Sequence, residues 1–121
     1  MTPHQKSSQP MASKTDLLQG TLDLLILKTL TPGALHGWGI SKRIQQTSKE
    51  VLEINQGSLY PALYRLEDRG LVTSEWGVSP DGRRAKFYTL TTAGRKHLGH
   101  EEAAWQLFTT AVNHVLKGAT A

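Results

Sequence analysis

The stretch Gln56-Gly57-Ser58-Leu59-Tyr60-Pro61-Ala62-Leu63-Tyr64-Arg65-Leu66-Glu67-Asp68-Arg69-Gly70 and the twenty residues after it, Leu71 to Leu90, change hydrophobic period at their junction. Leu59, Leu63 and Leu66 recur at the spacing of one helix face, and Gly70 suits the left-handed residue that ends a helix. A helix beginning near Gln56 or Gly57 follows, with Ser58 placed to cap it and Pro61 tolerated in the first turn. Beyond Gly70, Leu71 to Trp76 and Ala85 to Leu90 are short runs with Val, Thr, Trp, Phe and Tyr. They flank the turn-forming segment Gly77 to Arg83, which holds Pro80, Asp81 and Gly82. That pattern predicts a β-hairpin with a longer loop.

Working outward, Lys14 to Leu30 is too densely apolar for alternation and too long for one strand, so it reads as a helix stopped by Thr31-Pro32-Gly33. Its apolar stripe is wider than one small domain needs, which leaves part of it for a partner chain. A second helix runs from Gly37 or Trp38 to about Thr47, with Trp38, Ile40 and Ile44 as buried positions and Lys42, Arg43, Gln45 and Gln46 outside. After the hairpin, Thr91 or Thr92 caps a last helix through about Lys117. There Leu98, Trp105, Phe108, Val112 and Val115 fall at helical spacings, and Gly118 ends it. Residues 1–13 read as a disordered polar arm, 14–91 as the principal domain, 92–117 as a separate C-terminal helix and 118–121 as a disordered tail.

Three helices followed by a two-stranded hairpin is the order of a winged helix-turn-helix, an α+β fold that is mainly α. Its third helix enters the DNA major groove and its hairpin, the wing, lies against the backbone or minor groove. The chain carries 14 Lys and Arg against 10 Asp and Glu, a net charge of +4, which favours an anionic partner without identifying one. Placement says more. Arg83, Arg84 and Lys86 crowd the hairpin with Asp81 as the one nearby acid, and the third helix offers Gln56, Ser58, Tyr60, Tyr64 and Arg65.

Each of these has a plainer role available. Tyr60 and Tyr64 share a helix face, so either both approach DNA or one is core, and the leucines already filling the core favour DNA. Arg65 either contacts a base or pairs with Glu67 or Asp68. Ser58 either caps or contacts DNA, since one hydroxyl cannot easily do both. Lys42 contacts a phosphate or is simply solvated. A winged-helix module that binds only protein is the competing reading, and a steep loss of affinity with salt separates the two.

Other classes are excluded by what is missing. Without cysteine there is no disulfide, thiol nucleophile or cysteine-ligated zinc. No phosphate loop, nucleophile elbow or tuned carboxylate pair is present, so no catalysis and no cofactor are expected. His97, His100 and Glu101 sit at helical spacing for a metal, but no second cluster completes a site, so no metal is expected. Leu17 to Leu30 is interrupted by Asp23 and Lys28 and falls short of the roughly 20 apolar residues of a membrane span, so a cytoplasmic protein is expected.

The segment Gln56 to Glu67 resembles the recognition-helix signature of PadR-like regulators. The resemblance extends through His36-Gly37-Trp38-Gly39-Ile40, and through Gly82-Arg83-Arg84-Ala85-Lys86-Phe87-Tyr88-Thr89-Leu90-Thr91 with Gly94. It covers about Leu17 to Leu98, and the single terminal helix is similar to the shorter of the family's two C-terminal layouts. Many members carry Tyr where Trp38 or Phe87 stands, and Thr or Ala where Ser58 stands, swaps that keep the chemistry. The resemblance implies a homodimer held by the first and last helices, with Leu18, Leu22, Leu25, Trp105, Phe108, Val112 and Val115 at its interface. Such a dimer presents two third helices to a pseudo-palindromic operator, usually as a repressor. The distance of Trp105 after Gly94 is also similar to that in drug-responsive relatives, where paired tryptophans stack on flat aromatic ligands. For Trp105 this implies either ordinary packing or a share in an effector site.

Overall fold

The computed structural model describes residues 19–118. The arm over 1–13, the start of the first helix, Leu18 and the tail after Gly118 lie outside the described residues. Within them the chain forms α1 (Gln19–Thr29), β1 (Leu35–His36), α2 (Gly37–Thr47), α3 (Gln56–Asp68), β2 (Val72–Val78), β3 (Arg84–Leu90) and α4 (Thr92–Gly118). The strands make one antiparallel sheet in the order β1-β3-β2. This is the mainly helical winged helix-turn-helix expected, with one element added: β1, two residues long, pairs Leu35 with Tyr88 and His36 with Phe87. So short a strand leaves no periodic trace.

The core follows the predicted stripes. Ile26, Leu27 and Leu30 of α1 and its C-terminal turn meet Ile40 and Ile44 of α2 and Leu59, Leu63 and Leu66 of α3, all fully buried, with Val72 and Leu90 closing the sheet side. Trp38 does not join them and is 60% exposed. The inward positions of α2 are Gly37, Ile40 and Ile44, a regular i, i+3, i+7 stripe, and Trp38 is one residue off it, about 100° around the helix. Gly37 takes the inward place because the Tyr60 ring lies across it; a Cβ there would come within 2.7 Å of Tyr60 Cζ.

The ends of α3 explain two further differences. Its cap is Asn55, whose Oδ1 accepts the Ser58 N–H at 2.8 Å, so Ser58 is the capped residue and not the cap. The helix therefore starts early enough that Pro61 lies in its second turn, where it has no N–H to offer the Gly57 carbonyl. At the other end Gly70 takes φ +74°, with Gly70 N–H donating to the Glu67 carbonyl at 2.9 Å and Leu71 N–H to the Leu66 carbonyl at 2.9 Å. This is a Schellman closure, and it turns the chain directly into β2.

β2 and β3 run in register from Val72 opposite Leu90 to Val78 opposite Arg84, so the strands are longer and the loop shorter than the composition implied. Ser79 closes the loop: its N–H donates to the Arg83 carbonyl at 2.7 Å, its hydroxyl donates to Asp81, and its Oγ accepts from Arg83 N–H at 3.1 Å. Thr91 caps α4 through its Oγ1, which accepts from Gly94 N–H at 2.9 Å. Of α4, only Gly94 and Leu98 are buried. Its remaining apolar side chains extend past the core.

Candidate nucleic-acid interface

Three segments bring the predicted contact residues to the surface. On α3, Gln56 is exposed at the first turn, with its Nε2 3.5 Å from Ser41 Oγ of α2, and Ser58 is half-buried behind the Asn55 cap. Tyr60 rests on Gly37 yet keeps almost half its surface open, and Tyr64, one turn on, is 76% exposed. Neither ring is core. On α2, Lys42 Nζ stands 4.7 Å over the exposed Trp38 ring, a cation–π contact that orders the ammonium at the surface.

Arg65 is placed elsewhere. Its Nη2 donates to Asp23 Oδ1 of α1 at 3.0 Å, and its Nε is buried without a hydrogen-bond partner among the described residues. It therefore pairs neither with Glu67 nor with Asp68, and its guanidinium is turned back onto the domain instead of toward a groove. Burial pushes the Asp23 carboxyl above its ordinary range, outweighing the Arg65 guanidinium and the more distant Arg69 and His97. Removing one partner strands a carboxylate whose side chain is only 12% exposed. Arg65→Met is expected to destabilise the fold by about 2 kcal/mol at neutral pH, below the full value for a buried pair because solvent reaches Arg65. The folded-state pKa of Asp23 lies above its unfolded value, so its ionisation opposes folding as pH rises through it. Without Arg65 that pKa rises further, and the variant's deficit shrinks as pH falls toward the unfolded carboxylate range. Urea titrations at pH 7 and pH 4.5 check this; a deficit that grows on acidification contradicts it.

The wing is tied to α3 at its base, where Ser74 Oγ donates to Glu67 Oε2 at 2.6 Å. Tyr88 is buried beside them, and burial, with the Glu67 charge, raises its phenol pKa. Toward the tip, Arg83 is exposed with Nε 3.6 Å from Asp81 Oδ2, and the Ser79 hydroxyl holds the Asp81 carboxyl below its ordinary range. Arg84 and Lys86 instead lie over the Trp76 ring, at 4.5 and 5.9 Å from its centroid. The sequence pattern does not mark Trp76, His36 or Trp38 as site residues. The signal available was alternation in β2, which puts Trp76 on the face of Val72 and Ser74, but its cross-strand neighbours depend on a register only the folded hairpin reveals. His36 caps α2 by accepting Gly39 N–H at Nδ1, 3.0 Å away, and its ring stacks on Trp38 and meets Phe87 edge-on. His36 and Trp38 line one open hollow with Ser79 to Asp81 and Arg83 to Ala85 of the wing tip.

The proposed dimer residues divide. Leu22 is 5% exposed within the protomer's own core, so it is not available to a partner, and Leu25 is partly packed against that core. The stripe of α1 is wide because α2, α3 and α4 all pack on it. Trp105, Phe108, Val112 and Val115 remain exposed to varying degrees along α4, joined by Leu107 and Leu116. Trp105 and Phe108, with centroids 6.1 Å apart, line a shallow hollow with Gly20, Thr21 and Leu24 of α1. His97 Nε2 and Glu101 Oε2 approach to 3.9 Å, and no group of three metal-ligating side chains forms among the described residues. No described helix is long and apolar enough to cross a membrane.

With this geometry the chain resembles known proteins along most of its length. Residues 26–100 match the transcriptional regulator PadR-like family. A transcriptional regulator of Mycobacterium tuberculosis is 37% identical over 67% of this chain and 72% of its own length. The negative transcriptional regulator PadR of Bacillus subtilis is 29% identical over 64% of this chain and 42% of its own. Among solved structures, a transcriptional regulator from Clostridium thermocellum superimposes with a TM-score of 0.73 at 31% identity, covering 82% of this chain and 93% of that one.

Proposed function

Because the chain belongs to the transcriptional regulator PadR-like family, whose members regulate transcription and are not enzymes, we propose that it is a sequence-specific DNA-binding repressor acting as a homodimer on a pseudo-palindromic operator. Residues 14–91 are the DNA-binding unit and 92–117 the dimerisation helix, at work in the cytoplasm. The observation that carries this reading is the joint presentation of Gln56, Tyr60 and Tyr64 on α3, Lys42 on α2, and Arg83, Arg84 and Lys86 on the wing. Donors and aromatic rings on the groove-entering helix read bases, and cations on the flanking elements take phosphates. Ser58, with its N–H already used by Asn55, keeps its hydroxyl for a phosphate or base edge. A repressing role is supported by the similarity to the negative regulator of Bacillus subtilis.

The partner chain covers α4. Trp105, Phe108, Val112 and Val115 recur on one side of the helix, and burying large apolar side chains of this kind is worth about 1.5–3 kcal/mol each. Leu25 contributes at the edge. Two-fold symmetry then sets two α3 helices about one DNA turn apart, and linking two weak half-site readers makes a tight binder.

Selection of genomic fragments by the purified protein, followed by a salt titration, tests the reading. Enrichment of an inverted repeat with affinity falling steeply in salt is the expected result. A folded dimer that enriches nothing and binds no duplex even at low salt overturns it in favour of a protein-interaction module. The effector assignment has its own measurement. The Trp105 hollow, doubled across the dimer, takes a small planar aromatic compound, so such compounds should quench Trp105 fluorescence and loosen the DNA complex. Binding as tight to Trp105→Ala as to the parent, or binding by neither, removes Trp105 from that role.

A further inference from the structure

The face of the hairpin that packs on the core does not end with the core. Val72 and Ser74 of β2 face Leu90 and Tyr88 of β3 at the base, and the same face continues outward as Trp76 opposite Lys86 and Val78 opposite Arg84. Trp76 is 56% exposed, with both cations over its ring. Among the described residues neither Arg84 nor Lys86 has a carboxylate at ion-pair distance, whereas Arg83 beside them has Asp81. Glu75, the next acid along β2, opposes Phe87 on the other face. The outer wing is therefore a narrow two-stranded arm carrying two uncompensated positive charges held against a flat apolar ring.

A guanidinium laid on an indole is weakly hydrated and already ordered, so little is lost when it leaves bulk water for a confined site. The confined anionic site a wing meets on duplex DNA is the minor groove, narrowest and most negative in A·T-rich sequence and partly filled by the guanine N2 amino group at G·C pairs. We infer that Trp76 is a positioning residue that holds Arg84 for insertion into the minor groove, so that the wing selects A·T-rich flanks beside each half-site. This rests on the DNA-binding reading and adds a base preference at positions α3 does not reach.

Binding of the full-length protein to alternating dA-dT, dG-dC and dI-dC duplexes of equal length, at one fixed salt concentration, tests it. Inosine presents the minor groove of an A·T pair beneath a G·C-like major groove. The parent should therefore prefer both dA-dT and dI-dC over dG-dC by about tenfold. Trp76→Ala and Arg84→Lys should bring that ratio close to one while each variant melts like the parent, and Trp76→Phe, which keeps a ring beneath the cation, should retain an intermediate ratio. Equal affinity for the three duplexes overturns the proposal, leaving the wing a plain phosphate contact. A preference for dA-dT over both others also overturns it, because that places the readout in the major groove. A ratio unchanged in Trp76→Ala and Arg84→Lys takes these residues out of the role. Absence of binding to every duplex at low salt overturns the DNA-binding reading itself.

Discussion

Gly94→Ala is expected to destabilise the fold by about 2 kcal/mol, although alanine is the better helix former by about 1 kcal/mol. Gly94 is the third residue of α4, and a Cβ there would run into the Leu71 carbonyl and come within 2.7 Å of Leu90 Cδ1. The obstruction is backbone, which no rotamer change relieves. The same carbonyl accepts the Thr91 N–H at 3.1 Å, and the Thr91 hydroxyl lies 2.8 Å from the Gly70 carbonyl and 3.0 Å from that of Leu71. Lifting α4 to make room thus strains the junction where α3 ends, the wing starts and α4 is capped. Gly99, one and a half turns further along α4, is the internal control, because a Cβ there meets nothing within 4 Å. Gly99→Ala should be neutral or stabilising by up to about 1 kcal/mol. Thermal melts of both variants at one fixed protomer concentration decide the matter. Tm should fall by about 10 °C for Gly94→Ala and hold or rise for Gly99→Ala; equal shifts would show that this close approach does not govern the junction.

What could be read along the chain and what could not separate by physical cause. The core stripes of α1, α2 and α3 and the Gly70 closure are local periodicities or local backbone requirements, and they stand where the residue pattern put them. Hydrophobicity alone points Trp38 into the core, but on α2 the inward slot goes to Gly37, whose missing side chain admits the Tyr60 ring from α3. Ser58 and Pro61 differ from expectation together, since a cap at Asn55, three residues before Ser58, sets both one step deeper into a helix whose start at Gln56 is where the pattern puts it. Arg65 could not be resolved from neighbours at all, its partner Asp23 being 42 residues away. Leu22 was lost to the core for a related reason, because the number of elements packed on one helix is a property of the tertiary fold. On the wing, Arg83, Arg84 and Lys86 were legible as a charge cluster. Their division, Arg83 toward Asp81 and the other two onto Trp76, depends on strand register and on a five-residue loop in place of the seven residues expected.

That division makes the charge of the wing testable as a sum. Replacing Arg83 and Arg84 together by alanine should weaken operator binding by roughly two orders of magnitude at physiological salt. A dimer then loses four cations, and at about 0.9 counterions per neutralised phosphate the slope of log affinity against log salt should fall by about three to four units. The two side chains are exposed and outside the buried core, so the variant's melting temperature and dimer mass should match the parent's. Arg83→Ala alone should have less effect than Arg84→Ala, because Asp81 already neutralises part of the Arg83 charge and is left unpaired by its removal, adding a repulsion toward phosphate. Salt titrations of both single variants and the double variant on one operator fragment measure all three slopes. A double variant with the parent's slope and affinity would mean that the wing stands clear of the DNA, and α3 and Lys42 would have to carry the whole interface.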